Sequence, residues 1–336
     1  MNFKKIFTAD WKSLHAVIKH MHKVSGRSRV DLFRDMYACY KKGYTWMGYM
    51  VNGFYKYTDE NVRRTFLSEY VDNVKIVKET ISPEAREILR DKGKFSEVYK
   101  DFLKREVIDL RLSSYDEFSS FIDRHERIIV KKPFGEGGKG MEIYLTSSID
   151  NPKDLYDKLK KNDTTIVEET IVQNEKMSEI STNSVNTIRI ATAIDLSGNV
   201  TVPYMTLRYS VGDSFLDNAS LGGVYSLLDD EGVTVGPAYM SVPYEKIFYS
   251  HPKTNYDFME FKVPQIEEVK SIVKEAALVV KSARYIGWDV AISDKGPVII
   301  EGNQTPSVDL YQTHVHLKEP KGPVKIMEKA LDIKLR

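Results

Sequence analysis

The sequence predicts an α+β protein with a helical front end, and three observations carry that reading. Up to about residue 110 the pattern is helical, rich in Tyr and Met, with no strand-like alternation. From Glu106 onward β-branched runs appear and alternate with helical stretches. Near the C-terminal end two such runs flank Asp294-Lys295-Gly296, which reads as the loop of a β-hairpin. At 336 residues the chain can hold two or three packed subdomains. The expected division is a helical region over 1–80, a first lobe over 81–180 and a second over 181–336.

The elements follow from local signals. Ser82-Pro83-Glu84 is an N-cap, a first-turn proline and an acid at the positive end of the dipole, so it starts a helix that stops near Asp91-Lys92-Gly93. A second helix is expected from Phe95 to about Lys104. Strands are expected at Val107 to Leu110, Ile128 to Lys132, Met141 to Leu145, Thr164 to Val167, Thr187 to Ile194, Val200 to Arg208 and Val224 to Leu228. Helices fall near 115–124 and 150–160, and a longer one opens at Pro264, with Ile266, Val269, Ile272, Val273, Ala276 and Val280 at helical spacing.

Composition narrows the class. Hydrophobic residues are 42% and charged residues 29%, as in an ordinary soluble globular protein. The single cysteine, Cys39, excludes an internal disulfide framework and fits a reducing compartment, and as a lone thiol it reads as a buried apolar residue. No secretory signal is expected, and no apolar run approaches a membrane span, so a cytoplasmic location is expected. Net charge is only +1, yet residues 1–64 hold thirteen Lys/Arg against five acids. That excess reads first as a solvated helical surface, and otherwise as suited to an anionic membrane face, a polyanionic glycan or an acidic partner.

Two segments carry chemistry. A three-residue loop at Asp294-Lys295-Gly296 sets Ser293 opposite Pro297, Ala291 opposite Ile299 and Asp289 opposite Glu301, with Asn303 on the same face. Like charges directly across two strands repel, and a divalent cation reverses the sign. Asp, Glu and Asn oxygens form a hard-ligand set suited to magnesium, and removing either acid should relieve repulsion in the metal-free chain. A solvated hairpin with scattered charges is the alternative. The other segment is Lys131-Lys132-Pro133-Phe134-Gly135-Glu136-Gly137-Gly138-Lys139-Gly140, followed by a second strand. Strand, glycine loop, strand reads as a flap whose N–H groups and lysines neutralise phosphates, or as a mobile glycine hairpin with no ligand. A Rossmann loop would start a helix here and a Walker A loop would have Ser or Thr after Gly-Lys. Elsewhere, Glu168 and Glu169 end a strand, Asn186 and Arg189 interrupt an apolar run, and Arg208 leads to Asn218. His314 and His316 lack the further ligands of a zinc site. Trp288 suits sugar stacking or core filling.

In their order, these segments resemble the ATP-grasp superfamily over roughly residues 80 to 316. The branch is the one associated with sugar transfer and polysaccharide gene clusters, related to glutamate-adding ligases, and the tyrosine-rich lead-in around Tyr44 to Tyr70 looks like its front end. The resemblance implies two α+β lobes clasping ATP. It implies nucleotide contacts at Lys92, Lys132, Gly135, Gly137, Gly138 and Lys139, adenine contacts at Glu168, Glu169 and Ile171, and a ribose contact at Glu175. Arg189, Arg208 and Asn218 look like the positions that hold the transferring phosphoryl group and the acyl acceptor, and Asp289, Glu301 and Asn303 like the ligands of Mg2+, two ions or Mn2+ included. Gly302-Asn303-Gln304-Thr305-Pro306 keeps Glu-x-Asn but departs from the commoner surroundings, so substrate choice does not carry over.

The expected reaction is carboxylate–amine ligation through an acyl phosphate, with small-molecule or glycan substrates, no nucleic acid, and membrane or glycosyltransferase association through the basic front end. Its rivals are a phosphotransferase of the same superfamily and a non-catalytic nucleotide-binding partner of a glycosyltransferase.

Overall fold

Side-chain caps mark out the front end of the chain, whose computed structural model describes residues 11–135, 137–138, 140–181, 184–212 and 223–336. Helix α1 (Trp11–Ser25) turns through Gly26 into α2 (Arg29–Lys41), where Ser28 accepts the Asp31 N–H. Thr45 and Asp59 cap α3 (Trp46–Val51) and α4 (Glu60–Arg63) in the same way. Leu32, Met36, Tyr49, Phe54 and Phe66 bury together between them. Asp35 is gripped by both terminal nitrogens of buried Arg63, at 2.6 and 2.7 Å, and by Arg27 at 2.8 Å. Cys39 lies beneath this cluster, where burial raises its thiol to about 11, as befits a core residue.

Helix α5 (Val74–Thr80) leads to α6 (Pro83–Arg90), which opens on Ser82 and Pro83 as its sequence implies. The second expected helix differs. It starts earlier, as α7 (Lys92–Val98), because Asp91 caps the Gly93 and Lys94 N–H groups, and it breaks before α8 (Lys100–Leu103).

Among the described residues the strands form two antiparallel sheets. The smaller comprises β1 (Val107–Asp109), β2 (Arg127–Lys131), β3 (Glu142–Leu145) and β4 (Ile166–Glu169) in the order β1-β4-β2-β3. Helices α9 (Tyr115–Arg124), with a Ser114/Glu117 capping box, and α10 (Pro152–Lys161) cover one face, packing Phe118, Phe121, Leu155 and Leu159 on Ile128, Val130 and Val167. Residues of the alternate parity, Arg127, Ile129 and Lys131, face the other way. The strand expected at Thr164 to Val167 runs two residues later and takes both acids into the ladder.

After the short α11 (Glu175–Ser178) comes the larger sheet: β5 (Thr187–Ile194), β6 (Val200–Tyr209), β7 (Val224–Leu228), β8 (Thr234–Met240), β9 (Lys246–Phe248), β10 (Tyr285–Ser293) and β11 (Gly296–Asn303). Its order is β11-β10-β5-β6-β7-β8-β9. β8 and β9 were not expected, since Gly236-Pro237 argues against a strand and β9 is only three residues long. Helix α12 (Ile266–Ala277) lays Ile266, Val269, Val273 and Ala276 on one face, and α13 (Val324–Leu331) covers the other. Leu89, Phe95, Tyr99 and Leu103 share the α12 core. Residues 83–103, grouped with the first lobe on sequence grounds, therefore pack with the larger sheet. Trp288 is fully buried here against Tyr99, with its indole N–H on Thr192, so it fills core and is not available to a sugar. Among the described residues no helix is long and apolar enough to cross a membrane.

Candidate functional site

The site starts from the register of β10 and β11. The loop is two residues, Asp294 and Lys295, so Ser293 pairs with Gly296, Ala291 with Val298 and Val290 with Ile299. The pairs expected for Ser293 and Ala291 are thus wrong by one residue. A β-bulge at Ile300 absorbs the difference, and beyond it Asp289 does face Glu301. Across the next strand Asp289 faces Arg189, so Glu301, Asp289 and Arg189 form one row over three strands.

The row is unequal in charge. Asp289 receives Arg189 Nε at 2.5 Å and Nη2 at 3.0 Å, and Arg208 Nη2 at 3.0 Å. Burial would raise its carboxyl, but the two guanidinium groups outweigh burial and hold it well below the usual carboxylate range. Glu301 has no such escort. Burial first, and the Asp289 charge second, push its carboxyl up, only partly offset by Lys92 and Arg189. Asn303 donates from its amide to Gly287 O at 3.2 Å and to Glu301 Oε1 at 3.4 Å. The hard oxygen donors of Glu301, Asp289 and Asn303 are of the kind magnesium takes, with Glu301 the member whose charge is least compensated. Among the described residues no group of three or more His, Cys, Asp or Glu side chains is placed to hold a metal ion. His314 and His316 turn to different partners, Glu245 and Pro237 O.

These groups form one wall of a cleft of about 710 Å³ between the sheets. The cleft gathers Lys92, Lys132, Gly135, Gly137, Gly138, Glu168, Glu169, Ile171, Arg208, Asp289 and Glu301. Arg189 and Asn303 stand behind that wall, bonded to Asp289 and Glu301, and are not among its lining residues. Exposed Glu175 heads α11 and is not among them either. Lys139 and Asn218 lie outside the described residues. Asn186 is fully buried and donates to Met177 O and Ser181 O, a structural use.

The opposite wall is the glycine segment. Gly135, Gly137, Gly138 and Gly140 all have positive φ, which explains the residue choice at a turn where Gly135 has open space around its Cβ position. Lys92 Nζ donates to Gly135 O at 2.7 Å and its charge reaches Glu301, so it bridges flap and acid wall.

Two site residues lay outside the sequence reading or at its edge. Lys131, not Lys132, is the buried lysine of the pair and donates to Glu168 at 2.8 Å. The signal was available: Ile128 and Val130 enter the core, so Lys131 takes the cleft parity. Arg105 had no signal. It donates to Glu168 Oε2 at 2.9 Å and to Ile299 O and Ile300 O at 2.8 and 3.4 Å, joining the small sheet to the bulge. Burial would raise Glu168, but Lys131 and Arg105 outweigh it and hold the carboxyl at about 2.

The sequence model of the sugar-transfer-associated ATP-grasp family matches residues 78–316. The chain belongs to that family. The ATP-grasp ligase PsnB, complexed with minimal precursor, is similar in structure with TM-score 0.46 and 12% identity over 75% of this chain and 62% of that one. D-alanyl-alanine synthetase A from Vibrio cholerae gives TM-score 0.46 and 11% identity over 74% and 67%. N5-carboxyaminoimidazole synthetase from Staphylococcus aureus, complexed with ADP, gives 0.40 and 15% over 68% and 50%. The aligned region spans about half to two thirds of these ATP-grasp chains. No curated protein matches the chain by sequence.

Proposed function

We propose that this ATP-grasp protein is an ATP- and Mg2+-dependent carboxylate–amine ligase. It would join an amino acid or other amine to a sugar acid or related carboxylate in the biosynthesis of a capsular or cell-surface glycan. The observation that supports this most is the opposition, across one cleft, of a lysine-bearing glycine flap and an acid wall backed by two arginines. A cleft of about 710 Å³ is in the range of small-molecule sites.

Lys92, Lys131, Lys132 and the flap N–H groups offer positive charge and donors to a triphosphate. Glu168, Glu169 and Ile171 line the same cleft at the end of β4, where the nucleoside would be gripped. Glu301, Asp289 and Asn303 would hold magnesium, which when bound supplies a Lewis acid that offsets charge on the phosphates. A carboxylate oxygen of the substrate attacks the terminal phosphorus and ADP leaves, and the amine then attacks the acyl carbon and expels phosphate. Arg208, tied to Thr187 Oγ1 at 2.7 and 3.0 Å, and Arg189 keep two fixed positive charges at the wall where charge builds on the reacting oxygens. Each aligned charged contact is worth on the order of 10²-fold in rate.

The test is incubation with ATP, magnesium and panels of uronic-acid sugars and amines, reading ADP, phosphate and product mass. The expected product is carboxylate plus amine less water, formed only when both are supplied. A stable phosphorylated acceptor without amine makes the protein a phosphotransferase, and binding of ATP with no consumption across the panels makes it a non-catalytic partner.

A further inference from the structure

The outward face of α2 combines exposed apolar and basic side chains. Val30, Phe33, Arg34, Tyr37 and Lys41 recur at helical spacing opposite the buried Leu32, Met36 and Cys39. Val30, Phe33 and Tyr37 are 59%, 46% and 40% exposed. The face therefore consists of three large apolar or aromatic side chains and two basic ones, with no acid, and Lys41 Nζ lies 4.7 Å over the Tyr37 ring. The apolar surface continues sideways. Tyr40 meets Tyr70 edge-on at 6.1 Å, and Val71 and Val74, both more than half exposed, follow Tyr70 in the chain.

Charge around this face is predominantly basic. Helix α1 contains no Asp or Glu and exposes Lys19 and Lys23, and Arg29 opens α2. The described acids of residues 11–64 are all committed locally. Asp31 takes the Ser28 hydroxyl at 2.6 Å, Asp35 takes Arg27 and Arg63, Asp59 caps α4, and Glu60 pairs with Lys42 at 2.7 Å. A solvated helix exposes charge, not a row of Val, Phe and Tyr.

We propose that the α1–α2 hairpin docks the protein on an anionic phospholipid bilayer, with Val30, Phe33 and Tyr37 entering the headgroup boundary and Arg34 and Lys41 meeting lipid phosphates. Charge complementarity selects this occupant. Apolar and aromatic residues interleaved with basic ones on one helix face are the composition of an interfacial helix, whose long cationic side chains reach outward while their stems stay in apolar contact. An uncharged apolar partner would leave the cations unmatched, and an acidic protein or glycan would leave the Val-Phe-Tyr row wet. The inference stands independently of the ligase reading, since none of these residues lines the cleft.

Flotation of the full chain with vesicles tests it. Wild type is expected to float with phosphatidylcholine vesicles containing 30% phosphatidylglycerol, not with phosphatidylcholine alone, and to be released by 0.5 M salt. Arg34→Glu with Lys41→Glu should lower partitioning by at least about 30-fold, because each basic residue near an anionic surface contributes roughly a fivefold step and the reversed charges add repulsion. Phe33→Ser with Tyr37→Ser should lower it comparably, and Leu112→Ser, at 84% still more exposed but elsewhere, should leave it unchanged. ATP consumption in solution should be the same in all four proteins. No flotation of wild type, or equal flotation of the double variants, overturns the proposal. So does a change from dimer to monomer in Phe33→Ser with Tyr37→Ser without loss of flotation, since the face would then join two copies of the chain.

Discussion

Glu301 and Asp289 stand side by side yet answer differently to loss of charge. Two guanidinium groups balance Asp289, so Asp289→Asn takes the carboxylate from buried Arg189, at a cost of about 3 kcal/mol or more for a broken buried pair. Glu301 is the uncompensated member, and Glu301→Gln removes a repulsion while keeping shape. On these surroundings relief of repulsion is expected for Glu301→Gln and not for Asp289→Asn. The pH dependence has a definite sign. Folded Glu301 holds its proton above the usual carboxylate range while the unfolded chain releases it near 4.3, so the folded state binds more protons there and stability falls as pH rises through that window. In metal-free protein, urea unfolding at pH 4 and pH 7 should show Glu301→Gln gaining on wild type at the higher pH, and Asp289→Asn less stable than wild type at pH 7. Both should lack ATP turnover. Equal destabilisation by the two variants would mean that Glu301 is as well compensated as Asp289.

The hairpin shows how far an element is legible in a sequence. Its two strands, their facing acids and the glycine flap were readable from alternation, turn residues and charge, while the path between them was not. A two-residue loop and a bulge shift the pairing and then restore it, and no local pattern marks an extra residue at Ile300. The reason lies far away in the chain. Arg105 donates to the carbonyls of Ile299 and Ile300 and is itself held by Glu168, so a long-range contact supports the bulge that carries Glu301 back opposite Asp289. Lys131 was readable by parity, and β8 and β9 were hidden because burial and pairing override Gly236-Pro237. Arg105→Met is expected to release the bulge and lower kcat on the order of 10²-fold, the cost of misplacing a reacting group by about 1 Å. Arg105→Lys should not rescue it, because an ammonium cannot span a carboxylate and two carbonyls. The acid limb should move as well. Glu168, at about 2 in the folded chain, stabilises it above the ordinary carboxylate value and loses that contribution as pH falls toward 2, so Arg105→Met should flatten wild type's loss of stability between pH 4.5 and 2.5. An unchanged kcat with an unchanged acid limb would make Arg105 a bystander.

At the scale of the molecule, the cleft lies between two sheets whose cores are separate. Ile128, Val130 and Val167 pack with α9 and α10, while the large sheet packs with α6, α7, α8 and α12. Polar ties join the two bodies, among them Lys92 to Gly135 O, Arg105 to Ile299 O and Ile300 O, and the Arg111 guanidinium to Asp91. A ligand that touches both walls adds contacts to these ties, and its binding free energy appears as stability of the whole chain. Magnesium should decide how much. Without it a triphosphate brings further negative charge toward Glu301 and Asp289, and with it the same charge is bridged. A non-hydrolysable ATP analogue at 100 times its dissociation constant should add about 2.7 kcal/mol in the presence of magnesium, raising Tm by several degrees in a melting experiment. The same analogue with EDTA should give a much smaller shift, and Glu301→Gln should erase the difference between the two conditions. An analogue that stabilises wild type equally with and without magnesium would show that nucleotide binding does not pass through the acid wall.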